Sequence, residues 1–202
     1  MFLKKLAFII IILIELHTVN LFSTDSDRLK IKHPITIKAG VPFSWGYWGD
    51  DFNLLVPYVG VAWRSGYLLG SKTWISEFEV GYFARKAKTN GPLDSKVIPS
   101  PTGDLSTTFH AFPITVSLVR PINLSNSIEL TPKFGTGIMI TYVKSTNPED
   151  GFISFFILKP GLDIRIRLSD SLALTLDNFL IISFDDELTY YYIPSLGISL
   201  SF

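Results

Sequence analysis

The chain contains no cysteine. That excludes a disulfide scaffold, a thiolate metal site and a lipid-modified N-terminal cysteine. It has no surplus of either charge: 18 Lys and Arg stand against 18 Asp and Glu. The basic surface that nucleic-acid binding demands is therefore missing, and no nucleic-acid partner is expected. Histidine is scarce, at 3 residues. No metal-binding loop spacing is present, although Asp25, Asp27, Asp50 and Asp51 could touch a cation, so neither metal nor cofactor is expected. Only one long apolar run occurs, from Leu6 to Ile14 behind Lys4 and Lys5 and ended by Glu15. A spanning helix needs about 20 apolar residues, so residues 1–23 read as a secretory signal peptide and 24–202 as one domain. No stretch of that domain shows helical periodicity. If it enters a membrane, it must do so as strands.

What it does have is alternation with period two, the signature of strands with one apolar and one polar face. The clearest case closes the chain. In residues 190–202 one face carries Tyr190, Tyr192, Pro194, Leu196, Ile198, Leu200 and Phe202, and the other carries Ser195, Gly197, Ser199 and Ser201. The same reading predicts seven earlier strands, at 35–45, 55–64, 73–85, 109–119, 128–142, 152–168 and 172–184. Eight antiparallel strands form an all-β, up-and-down transmembrane barrel, and an even count puts both termini at one end, the periplasmic end of a bacterial outer-membrane protein. The only long loop is 86–107, rich in turn residues such as Asn90-Gly91-Pro92.

The charges choose the inward face. Lys38, Lys133, Lys159, Arg165 and Arg167 share the polar face with Glu77, Glu79, Glu129, Asp163 and Asp177. Lys or Arg facing lipid at mid-depth would cost roughly 2–4 kcal/mol each. Facing a lumen barely wide enough for side chains, they must pair. Arg64 and Arg85 are expected at water-accessible strand ends. Symmetric pairing of 128–142 with 152–168 about Pro148 predicts Glu129 opposite Arg167, Lys133 opposite Asp163 and Gly135 opposite Gly161. The outward aromatics then fall into two girdles. Trp45, Tyr82, Phe112, Tyr142, Phe156, Phe184, Tyr190 and Tyr192 form the upper one, and Trp63, Trp74 and Phe202 the lower.

The terminal Phe202, with Tyr192, Leu196, Ile198 and Leu200 before it, resembles the insertion signal of bacterial outer-membrane barrels. Pro57-Tyr58-Val59-Gly60, Pro132-Lys133-Phe134-Gly135 and Pro194-Ser195-Leu196-Gly197 resemble the Pro-x-x-Gly strands of the small barrels grouped with OmpA and OmpW. The resemblance implies a structural or surface-interaction role in the outer membrane, with outer-membrane lipids and the barrel assembly machinery as partners. A ligand or host surface would meet loop 86–107. It also implies an alternative, an OmpW-like, porin-like passage for small hydrophobic molecules through an upper-lumen pocket near Phe179, Ile181, Tyr191 and Ile193. Inward glycines would let the opposite walls approach. The prolines on the inward face, Pro42 and Pro113, have no account at this level.

Two other readings are open. Asp104, Ser106 and His110 are the residue types of a hydrolytic triad, but the His-x-Ser of barrel deacylases is absent, so no enzyme is expected. Gly46-Tyr47-Trp48 matches the Gly-x-Trp of lipocalins, whose eight-stranded barrels turn apolar residues inward.

Overall fold

The computed structural model describes residues 33–46, 52–67, 74–87, 108–144, 151–184 and 188–201. Residues 1–32, which include the stretch read as a signal peptide, residues 88–107 with Asp104 and Ser106, Tyr47, Trp48 and Phe202 lie outside them.

Ten strand segments follow in order: β1 (Ile35–Gly40), β2 (Phe43–Gly46), β3 (Phe52–Tyr67), β4 (Ile75–Ala87), β5 (Thr108–Val119), β6 (Ile122–Asn123), β7 (Ile128–Lys144), β8 (Gly151–Arg167), β9 (Leu172–Phe184) and β10 (Leu188–Leu200). They make a closed, eight-stranded antiparallel barrel. β1 and β2 are two lengths of one strand, since both pair β10 in the same register, Ile35 with Leu200 and Trp45 with Tyr190. β6 likewise continues β5 along β7. β1 pairs β3 on its other side, so no edge is left.

The strand expected at 35–45 is therefore broken at Val41 and Pro42. The physical reason is a shortage of donors. Proline carries no N–H, so it cannot contribute to a ladder. Pro42 stands in the gap between β1 and β2, beside Pro194 on β10, whose carbonyl accepts from the Val41 N–H at 3.2 Å. The same rule places the other prolines. Pro57 sits in the β3 bulge between Val56 and Val59. Pro113 sits where the β4–β5 ladder lapses between Val80/Ile114 and Phe83/Ala111. Pro160 sits in the lapse between Leu158/Ile182 and Gly161/Phe179.

The faces follow the alternation. Outward are Ile37, Val61, Trp63, Phe134, Leu196 and Ile198, each about half exposed. Inward are charged, hydroxyl and aromatic side chains with almost no exposure. The lipocalin-like reading requires the reverse and is set aside. Asn178, the one polar break on the outer face of β9, is satisfied there: the Tyr192 hydroxyl donates to its Oδ1 at 2.9 Å.

The register between β7 and β8 differs from expectation by two residues. Glu129 faces Arg165, Lys133 faces Gly161 and Gly135 faces Lys159. The observed ladder is also symmetric, but its centre lies one position earlier in the connection, and alternation does not fix that centre.

Candidate functional site

The site is the lumen, and the described inward side chains fill most of it. Its lower half is one connected ionic network. Arg64, on β3, reaches three carboxylates on three other strands: its Nε donates to Glu77 at 2.9 Å, Nη1 to Glu129 at 3.1 Å and Nη2 to Asp163 at 3.0 Å. Arg64 is only 3% exposed. It is thus the hub of the network rather than a solvated strand-end residue. Arg85 is also buried, in the upper lumen, where its guanidinium lies 6.0 Å from the Tyr191 ring centre.

Lys133 joins the two halves of the network. Its ammonium lies 2.8 Å from Asp163 and 2.6 Å from Asp177, with Glu77 at 3.7 Å. Lys38 donates to Glu79 at 2.7 Å and also to Asp177. Lys159 pairs with Glu79. Arg165 approaches Glu129 at 3.5 Å, and Arg167, half exposed, approaches the same carboxylate at 3.6 Å. All ten residues read from the sequence as a charge network are therefore brought together. Arg64 was the omission. It sits two residues past Ala62 on the inward face, in phase with Gly60, and that phase was the signal for it.

An ionic cluster of this kind is held only if every charge is matched, because a buried ion without a partner costs several kcal/mol. Below it, hydroxyls knit the wall, with Thr36 Oγ1 and Ser199 Oγ 2.6 Å apart and Thr175 Oγ1 2.8 Å from the same Ser199.

Phe179 closes the network from above. Its ring centre lies 4.8 Å from the Lys38 ammonium, 4.3 Å from Lys159 and 5.6 Å from Lys133. Three cations share one aromatic face region, a favourable contact when desolvated. Tyr58 packs edge-on against it, with ring centres 5.3 Å apart, and donates its hydroxyl to Glu79. Tyr58 escaped the sequence reading because an inward Tyr among charges was not expected.

The glycines beside Tyr58 explain its fit. Gly60 and Gly81 face each other across β3 and β4. A Cβ on Gly60 would lie 2.8 Å from Tyr58 Cζ, and one on Gly81 2.7 Å from it. These glycines do not draw the barrel walls together. They vacate the volume that the Tyr58 ring occupies. Gly161 does the same for Lys133, whose Cε would meet a Cβ there at 2.9 Å. This is the physical content of the Pro-x-x-Gly pattern on β3: the proline sits at a bulge and the glycine makes room for a ring.

Above Phe179 the lumen is mainly apolar, with Arg85 the charged exception named above. Phe83, Ala111, Met139, Ile157, Ile181, Tyr191 and Ile193 pack as one buried cluster, with Phe155 against it. Ile181 and Ile193 are fully buried. The void at this level, among Phe83, Arg85, Phe109, Phe155 and Tyr191, measures about 40 Å³. A water needs about 10–15 Å³ on this measure, so a few waters fit and a solute does not.

The outward aromatics stand at the two ends. Remote from residue 35, Trp45 stacks on Tyr190 at 5.7 Å, Phe43 on Tyr192 at 6.5 Å, and Phe156 meets Phe184 at 5.7 Å. Tyr82, Phe112, His110, Tyr142 and Phe152 form a continuous belt on the other side. Trp63 and Trp74 stand at the opposite end, where Arg120 lies 5.9 Å from the Trp74 ring centre. Leu196, Ile198 and Leu200 face outward on β10. His110 points outward, and its Nδ1 is 3.0 Å from the Tyr82 hydroxyl.

With that geometry in place, comparison with known proteins is informative mainly at the level of fold. No protein-family model matches the chain, and no curated protein matches it either. Neisserial surface protein A is similar over 84% of this chain and 97% of that chain, with 12% identity and a TM-score of 0.55. The attachment invasion locus protein Ail of Yersinia pestis, solved with the heparin analogue sucrose octasulfate, aligns over 84% of this chain and 100% of that chain, at 12% identity and TM-score 0.48. A major outer membrane protein of Thermus thermophilus gives 14% identity over 84% and 99%, at TM-score 0.49. The chain has the fold of the small eight-stranded outer-membrane β-barrels.

Proposed function

We propose that the protein is an integral barrel of the bacterial outer membrane, with a sealed lumen and both termini on the periplasmic side. It acts as a rigid stave that displays its loops, chiefly 86–107, for interaction with a surface ligand or for envelope integrity. The observation that carries this reading is the filled interior. From Arg64 up to Phe83, charges, aromatics and aliphatic side chains occupy the lumen with little exposure. The outer wall, by contrast, exposes rows of Phe, Leu, Ile, Val and Trp that only an apolar medium would cover at no cost.

Passage of small hydrophobic molecules would require Phe179, Ile181, Tyr191 and Ile193 to part. They are instead packed against one another and against Phe83 and Tyr58. The packed arrangement supports the non-conducting reading. Residues 192–200 face lipid on alternate positions, which supports a role for Tyr192, Leu196, Ile198, Leu200 and Phe202 in recognition by the assembly machinery.

The test is electrophoretic. The mature chain, refolded in detergent, should migrate differently boiled and unboiled, because a closed sheet has no edge from which the denaturing detergent can open it. Equal mobility, with solubility in the absence of detergent, would overturn the membrane reading.

A further inference from the structure

Among the described residues, charge on the outer wall is confined to few places. At the end of the barrel remote from residue 35, Lys86 and Lys144 lie on the outer face, both exposed. They are brought together by register: Lys86 pairs Thr108, and Thr108 pairs Lys144. Neighbouring strands stand about 4.8 Å apart, so the two lysines flank a gap of about 10 Å between backbones. Among the described residues, neither has a carboxylate partner, and the outer faces of β5 and β7 carry no acid. Around the rest of this rim, the described outward residues of β2, β8, β9 and β10 are aromatic, aliphatic or hydroxyl-bearing, with no cation.

Directly beneath the lysines the wall carries a shallow, open recess. Tyr82, His110, Phe112, Tyr142 and Lys144 line an open groove of about 490 Å³. On β4 the residue beside His110 is the small Ala84, itself fully covered, and the Tyr82 and His110 rings stack with centres 6.2 Å apart. Below it the outer face stays apolar, with Phe112 paired to Ile140 and Ile114 to Ile138 across β5 and β7. Cations at the top, ring hydroxyls and imidazole at interface depth and an aliphatic track below match one class of molecule from head to tail.

We propose that this groove holds an anionic lipid with a phosphate in its headgroup. The phosphate sits between Lys86 and Lys144, and an acyl chain lies along the apolar β5–β7 strip. Each lysine near an anionic membrane surface contributes about 1 kcal/mol. The tyrosines and His110 suit the headgroup depth, where amphipathic rings settle. This inference rests on the membrane-embedded reading above.

The test is native mass spectrometry of the refolded chain, released from a zwitterionic detergent in the presence of equimolar phosphatidic acid and phosphatidylcholine with identical acyl chains. The chain should retain one phosphatidic acid in preference. The K86Q/K144Q variant should lose that preference by roughly thirtyfold. K86R/K144R should keep it, and R120Q, which alters the cation at the other rim, should leave it unchanged. Excess inorganic phosphate should not displace the lipid. Equal retention of both lipids, preference surviving in K86Q/K144Q, or displacement by inorganic phosphate would each overturn the proposal. The boiled and unboiled gel shift of the same samples separates the two readings. Lost preference with an intact shift contradicts the lipid site alone, and a lost shift contradicts the barrel.

Discussion

Lys133 and Asp163 are not cross-strand partners, yet the Lys133 ammonium lies 2.8 Å from the Asp163 carboxylate. The residue opposite Lys133 is Gly161, whose missing side chain lets the lysine stem lean two residues along β8. The pair is diagonal, in a sheared barrel, and the lysine continues across to Asp177 at 2.6 Å on β9. Lys133→Met should therefore strip two aspartates and Glu77 of a shared cation. The expected loss is about 3–5 kcal/mol, as for breaking other buried ion pairs. Urea unfolding of the refolded barrel in lipid vesicles measures it. A loss under about 1 kcal/mol, typical of exposed pairs, would contradict the buried network.

Gly161 makes the complementary case. A methyl group there meets Lys133 and the Phe179 Cβ, both at 2.9 Å. Gly161→Ala should destabilise by about 1–3 kcal/mol through overpacking. In a Lys133→Ala background the penalty should shrink, because one of the two clashing groups is the lysine Cε. Equal penalties in both backgrounds would show that the stem does not lie over Gly161. The four-variant unfolding cycle gives the coupling directly.

Tyr58 allows the ring and the hydroxyl to be separated. Tyr58→Phe removes the donor to Glu79 and should cost about 1.5–3 kcal/mol, the range for a hydrogen bond to a charged group. Tyr58→Ala also empties the space over Gly60 and Gly81 and should cost about 3–5 kcal/mol. Denaturation of both variants side by side checks the order. An alanine variant as stable as the phenylalanine one would mean that the ring fills nothing.

Arg64 donates through three nitrogens to three carboxylates. Lysine keeps the charge and loses the fork. Arg64→Lys should fall between the parent and Arg64→Met in unfolding free energy, with Arg64→Met losing about 3–5 kcal/mol. If lysine performs as well as arginine, the hub is a point charge and the fork geometry is irrelevant.

Much of this architecture was legible in the chain because a strand declares its two faces residue by residue. The limits of β9, Leu172–Phe184, follow directly from alternation, and so does the inward placement of Glu77, Glu79 and Asp177. What alternation cannot carry is the offset between strands. Facing has period two, so registers that differ by two residues bury the same side chains. Glu129 against Arg165 and Glu129 against Arg167 are equally good on that criterion, and the structure has the first. Arg64 was obscured for a related reason. Its position near the end of a strand says nothing about depth once the strand, Phe52–Tyr67, proves longer and tilted. Tyr58 with Gly60 and Gly81 depends on two strands at once, so no single stretch of sequence displays it. The prolines are the reverse case: their missing donors map onto the lapses of the ladders, but only after the ladders are known.

The central claim is that the lumen is sealed, and electrical conductance tests it most directly. The refolded chain, inserted into a planar phosphatidylcholine bilayer and verified by its gel shift, should show no stable current steps across a range of applied potentials. Among the described residues, the apolar cluster of Phe83, Ile181, Tyr191 and Ile193 above Phe179 and the ion network below it are buried in the lumen, which supports this expectation. Sustained, ohmic single-channel steps from the unmodified chain would contradict the account.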